Sequence, residues 1–141
     1  MPAINEFLQS LLLAVKCPNG VMLTHSLPTP SRMQIAGCDI LAKDSYSDAD
    51  MRRGGPAYEW TWGRNQTPDQ ATALAEKFGV NLFILGHRHS GSGYETIPPH
   101  IVSITSDNDH GCVIEFDCTI KISLENLDQI LKPIVALARS H

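Results

Sequence analysis

The chain has 141 residues, of which 43% are hydrophobic and 18% charged, and a formal net charge of −4. At about 150 residues per domain this length predicts one domain able to bury roughly two-thirds of its unfolded surface, and the composition excludes a disordered tail. A pI of about 5.8 argues against a general nucleic-acid binder, and no apolar run approaches the ~18–20 residues that cross a bilayer.

Ile4, Phe7, Leu8, Leu11, Leu12 and Val15 recur at helical spacing and predict a first helix with one apolar stripe. Its segment Met1–Cys17 lacks a basic leader region and carries Glu6, so it does not read as a signal peptide, and the expected compartment is the cytoplasm. Pro18-Asn19-Gly20 stops the helix, and Val21-Met22-Leu23-Thr24 reads as a short buried strand ending at His25-Ser26-Leu27-Pro28. Residues 29–66 are rich in Gly, Pro, Asp and Ser, and so long an irregular stretch in a compact domain is more often functional than idle. Within it the alternation of Tyr58, Trp60 and Trp62 predicts a short extended segment.

Thr67 caps the next helix, Pro68 fits its first position and Gln70 completes a capping box. Ala71, Leu74, Ala75 and Phe78 form its inner stripe, and Gly79 ends it. Val80–Leu85 is a continuous apolar run suited to a strand buried on both faces, followed by Gly86-His87-Arg88-His89. Two further strands are expected, Ile101–Thr105 and Cys112–Phe116, around the polar turn Ser106–Gly111. A C-terminal helix from about Leu124 turns Leu127, Ile130, Leu131 and Ile134 inward, with Pro133 kinking or interrupting it. The order is that of an α/β layered domain. Cys17, Cys38, Cys112 and Cys118 form no CxxC, and they read as reduced structural thiols, Cys112 and Cys118 within an apolar run.

Two histidine sites follow the buried strands, where ligand and catalytic residues of open α/β sheets gather. His25 closes the first strand; His87 and His89 close the second. Imidazole suits borderline transition metals, and Gly86 permits a sharp backbone turn that brings two imidazoles together. His87 and His89 are read as contacting two neighbouring metals more readily than chelating one. The same residues also suit simple hydrogen-bonded or solvated histidines. His100 and His141 carry no functional reading, and the turn holding His110 equally suits an ordinary loop.

Gly86-His87-Arg88-His89 after an apolar strand resembles the GHxH signature of the calcineurin-like metallophosphoesterases. Val21–Pro28 is similar to the strand and histidine that precede that signature. His87–Glu95 is similar to the histidine-to-Gly-Tyr-Glu stretch of the serine/threonine protein phosphatase branch, and Ile101–Phe116 to its closing pair of strands. Cys38-Asp39-Ile40-Leu41 and Gly54–Gly63 fall where that branch carries a substrate-side loop and a Gly-aromatic segment. The resemblance covers roughly residues 19–118 and leaves a flanking helix at each end.

This resemblance implies a metal-dependent phosphoesterase acting on a phosphorylated small molecule or protein. Divalent ions (Mn, Fe or Zn) are the implied cofactors. His25 and His87 are implied ligands of one metal of a dinuclear centre, and His89 serves the other, as the second histidine of GHxH does in the wider superfamily. Arg52 or Arg53 matches the branch's phosphate-gripping arginine, beside the alternative of a solvated basic pair near Asp48 and Asp50. The superfamily's opening motifs DxH, GDxxD and GNH, which supply a bridging aspartate, an asparagine ligand and a catalytic histidine, do not occur here. Residues 1–141 therefore look like one partial domain, the C-terminal half of a layered α/β/β/α metallophosphoesterase sandwich. A missing N-terminal half becomes an expected partner, and the chain alone a poor phosphatase. The alternative is a non-catalytic remnant or interaction module that keeps part of the fold.

Overall fold

In a computed structural model, residues 2–138 are described. Helix α1 (Pro2–Gln9) leads into strand β1 (Ala14–Lys16), and a turn at Gly20 returns the chain as β2 (Val21–Thr24). Four short helical segments follow: a 3-10 turn at Pro30–Arg32, α2 (Met33–Ala36), a second 3-10 turn at Asp39–Ala42 and α3 (Asp48–Met51). Then come α4 (Pro56–Trp62), α5 (Pro68–Phe78), β3 (Leu82–Leu85), β4 (Tyr94–Ile97), β5 (Ile101–Ile104) and β6 (Cys112–Ile114). The last described elements are a 3-10 turn at Leu124–Asn126, α6 (Leu127–Ile130), β7 (Leu131–Pro133) and α7 (Ile134–Ala138).

The main sheet has the order β1-β2-β3-β5-β4. Its three central strands are parallel, with Thr24 beside Leu85 and Leu85 beside Ser103, while β1 and β4 run antiparallel at the edges. Because successive strand residues face opposite sides, the buried run of β3 divides between two cores. Phe83 and Leu85 join Met22, Ile101 and the helical residues Ala36, Ala57, Trp60, Ala71 and Leu74 on one side. Leu82 and Ile84 join Val21, Val102, Ile122 and Leu127 on the other. All four β3 residues are buried, which is why the strand reads as an unbroken apolar run rather than an alternation.

Helix α5 follows from its local chemistry. The Thr67 side chain accepts from Gln70 N, Pro68 occupies the first turn, and Gly79 takes the left-handed conformation (φ 60°) that ends the helix. The reciprocal half of the capping box is not made, because the Gln70 amide donates to Pro28 O at 2.6 Å instead. Ala71, Leu74 and Ala75 are buried and Phe78 half-buried.

Several sequence expectations give way to longer-range pairing. The first helix stops at Gln9, and Val15 lies in β1, because β2 offers its free edge to residues 14–16. The apolar stripe is uncovered: Ile4, Phe7, Leu8, Leu11, Leu12 and Val15 are all exposed. Tyr58, Trp60 and Trp62 are helical rather than extended. Pro56 opens α4, and its i,i+4 geometry stacks Tyr58 on Trp62 with ring centroids 5.9 Å apart. The closing strands β5 and β6 are not partners, since β5 lies between β3 and β4 while β6 pairs with β7 in a separate ribbon. Strand β4 is an additional element, which the sequence shows only as part of a Gly-Tyr-Glu motif. The C-terminal helix is broken into α6, β7 and α7, with Pro133 at the end of β7. Cys118 is exposed in a turn rather than set in an apolar run, and all four cysteines are free thiols. No described helix is long and apolar enough to cross a membrane.

Candidate functional site

Three parallel strands deliver polar groups to one edge of the sheet. His25 follows β2, Gly86-His87-Arg88-His89 follows β3, and Thr105-Ser106-Asp107 follows β5. The register carries the parallel pairing to the strand ends, and Gly86 N continues it by donating to His25 O at 3.1 Å. His25 Nε2 lies 3.1 Å from His87 Nδ1, with the ring centroids 4.9 Å apart and the planes inclined at 63°. A Cβ at Gly86 would sit in ordinary van der Waals contact, 3.4 Å from His25 Nδ1.

His87 adopts φ 64°, a left-handed conformation that costs a non-glycine residue on the order of 1–3 kcal/mol and persists only where its surroundings hold it. The motif is therefore not an extended HxH, in which residues two apart would share a face. The turn itself separates them. His87 meets His25, whereas His89 is exposed and its Nδ1 lies 3.1 Å from Asp107 Oδ2.

Burial, then the neighbouring His25 and then the charge of Arg64 lower the His87 pKa from its ordinary value. All three favour the neutral imidazole, the form that ligates metals. His87 Nε2 is buried without a hydrogen-bond partner, an uncommon condition for a buried ring nitrogen. Two nitrogen ligands of one tetrahedral zinc, each at ~2.0–2.1 Å, stand roughly 3.3 Å apart. The separation of His25 Nε2 and His87 Nδ1 fits that spacing and equally fits a direct hydrogen bond. The two histidines thus suit part of a metal's donor set. Among the described residues no group of three or more His, Cys, Asp or Glu is placed to hold an ion.

The Asp107 carboxylate is fixed from several sides. Thr105 Oγ1 donates to its Oδ1 at 2.5 Å, Asn108 Nδ2 approaches the same oxygen at 3.2 Å, and His89 lies at Oδ2. The Thr105 hydroxyl, followed by the His89 contact, holds this carboxyl below the usual carboxylate range. With Nδ1–H donated to Asp107, His89 keeps its lone pair on Nε2, the arrangement typical of ligating histidines.

The other flank of the site comes from the chain after α4. Trp62 meets His87 edge to face with centroids 5.2 Å apart, and Arg64 is close enough for its charge to depress His87. Ser26 Oγ donates to Gly63 O at 2.7 Å and Arg64 N donates to Thr29 Oγ1 at 2.9 Å, clamping this segment beside His25. Gly63 is required by the closeness of that clamp, because a Cβ would fall 1.8 Å from Leu27 O.

Arg52 and Arg53 are exposed in the turn after α3, and no described hydrogen bond or ion pair joins either side chain to the histidines. Arg52 borders a small groove with Asn5, Leu8, Gln9, Asp48 and Met51. Arg88 is engaged by Glu95 at 3.1 Å. His110 sits in an ordinary loop, its backbone N–H donating to the Asn108 side chain.

Sequence reasoning missed Trp62, Arg64 and Asp107. Asp107 was within reach of the rule that placed the histidines, since it follows the third parallel strand; Trp62 and Arg64 carry no such signal. An apolar cavity of about 600 Å³ adjoins the site, lined by Leu11, Leu12, Val15, Leu23 and Ile84 and reaching His25 and Gly86. In comparisons with known proteins, the chain matches no family model, no curated protein and no solved structure.

Proposed function

We propose that this chain is a partial metal-dependent phosphoesterase domain of serine/threonine phosphatase-like, calcineurin-like type, acting on phosphate esters in the cytoplasm. The observation that carries the reading is the 3.1 Å approach of His25 and His87 at the carboxyl ends of two adjacent parallel strands. The five-stranded mixed sheet is compatible with half of a layered sandwich. His25 and His87 would hold one divalent ion, and His89, oriented by Asp107, would serve a second. Bound divalent ions supply Lewis-acid polarisation of a phosphoryl oxygen and a nucleophile at neutral pH.

Arg64, whose charge acts on His87, is a further candidate beside Arg52 and Arg53 for binding phosphate oxygens. Trp62 excludes water from one flank of the His87 ring. Further donors have to come from a polypeptide carrying the DxH, GDxxD and GNH motifs. The uncovered stripe of α1 and the apolar cavity beside His25 support such a partner. A non-catalytic interaction module is the second reading, favoured by the absence of a third described donor beside the two histidines.

The test combines cobalt titration, read by visible absorption, with hydrolysis of p-nitrophenyl phosphate in added manganese. It compares the chain, its His25→Ala and His87→Ala variants, and a mixture with a polypeptide bearing the first-half motifs. Expected are cobalt binding weakened at least ~10-fold in both variants and turnover only in the mixture. Robust turnover by the chain alone that vanishes in His87→Ala would overturn the partial-domain reading. Equal cobalt binding by all three proteins would overturn the metal site. A folded chain inactive in every tube would establish the non-catalytic alternative.

A further inference from the structure

At the end of the sheet opposite the histidines, two turns distant in sequence are fastened together. The β1–β2 turn is closed by Cys17 N donating to Val21 O at 2.8 Å and Gly20 N donating to Cys17 O at 3.1 Å. The turn after β6 is closed by Ile120 N donating to Asp117 O at 3.1 Å, with Thr119 N and Oγ1 both donating to the Asp117 carboxylate at 2.7 Å. Asn19 joins them, its amide donating to Ile120 O at 2.9 Å and Asp117 O at 3.3 Å. Cys17 stands two residues before Asn19, and Cys118 lies between the two carbonyls that Asn19 grips. We propose that Cys17 and Cys118 form a reversible redox pair, closed by a peroxide into a disulfide that staples the two turns.

The two thiols differ in the way such a pair requires. Cys118 is exposed and meets an oxidant first, whereas Cys17 is buried in the core beside Ile122 and Leu127. Burial, followed by the charge of Cys118 and its hydrogen bonding, raises the Cys17 thiol's pKa. The buried Cys17 thiol therefore resists ionisation, and the exposed Cys118 is the first of the two to react. In the first step the Cys118 thiolate attacks the peroxide: an S–O bond forms, the O–O bond breaks, and hydroxide leaves to become water. Cys118 is now a neutral sulfenic acid, so its charge no longer opposes ionisation of Cys17. In the second step the Cys17 thiolate attacks the Cys118 sulfur: the S–S bond forms, the S–O bond breaks, and hydroxide takes up the proton that Cys17 gave up. Two thiols and one peroxide yield one disulfide and two waters. The remaining thiols lie elsewhere: Cys112 donates to His110 O, and Cys38 packs against the helical core on the other face.

The purified, fully reduced chain is treated with one equivalent of hydrogen peroxide, the remaining thiols are alkylated, and the digest is read by mass spectrometry. The expected product is a peptide pair linked through Cys17 and Cys118, lighter by two hydrogens and released by dithiothreitol. It should be absent in Cys118→Ser, an exposed position where folding is preserved, and retained in Cys38→Ser and Cys112→Ser. Closing a loop of about 100 residues should raise the melting temperature on the order of 10 °C over the reduced chain. Overoxidised Cys118 beside an alkylatable Cys17, a link only between two chains, or no reaction at all would each overturn the proposal.

Discussion

Leu82→Ala removes the side chain on which the second core is centred. Leu82 is fully buried, opens the strand at the middle of the main sheet and pairs with Val21, itself fully buried. Its neighbours in that core include Ile84, Val102, Ile122 and Leu127. Three carbon atoms are lost, worth about 2.4 kcal/mol at ~0.8 kcal/mol per buried methylene equivalent. Cavity formation adds to this, because a strand hydrogen-bonded on both sides cannot collapse into the gap, and the expected loss is ~3–5 kcal/mol. With a urea m-value of ~2 kcal/mol/M, the unfolding midpoint should fall by roughly 1.5–2.5 M. The matched control is Leu12→Ala, a leucine 75% exposed on the first segment, which should stay within ~0.5 kcal/mol. Equal losses for the two variants in urea titrations followed by circular dichroism, or a loss below ~1 kcal/mol for Leu82→Ala, would show that β3 is not the central strand.

Gly63→Ala should cost more than ~3 kcal/mol and yield little folded protein, because the new Cβ meets the Leu27 backbone rather than a movable side chain. A melting temperature within a few degrees of wild type would refute the Ser26–Gly63 clamp. Asp50 is held at about 2 by the Lys43 ammonium and then by the Ser47 backbone and hydroxyl. Its folded pKa lies below the unfolded value, so its stabilisation is present above about pH 4 and is lost as pH falls towards 2. Because Lys43 is half-exposed, this amounts to roughly 1–2 kcal/mol. Asp50→Asn should flatten that part of the pH–stability curve, and an unchanged acid limb would disprove the assignment.

Local chemistry was enough for the elements whose signals do not depend on distant residues. Thr67, Pro68 and Gly79 delimit α5 through their own backbone preferences, and the apolar run before Gly86 marks a strand buried on both faces. His25 and His87 were legible as candidates because each directly follows such a strand. That they meet depends on β2 and β3 being parallel neighbours, a pairing between residues about sixty positions apart that no local pattern encodes. Tertiary contacts likewise overrode local periodicity elsewhere. The free edge of β2 drew residues 14–16 out of the first helix's pattern, and β6 drew Leu131–Pro133 out of the last. The tertiary structure also brought Trp62 and Arg64 to His87, and Asp107 to His89. Sequence spacing fixes which residues share a face of one element, whereas a site assembled from several strand ends exists only once hydrogen bonding has set their order, direction and register.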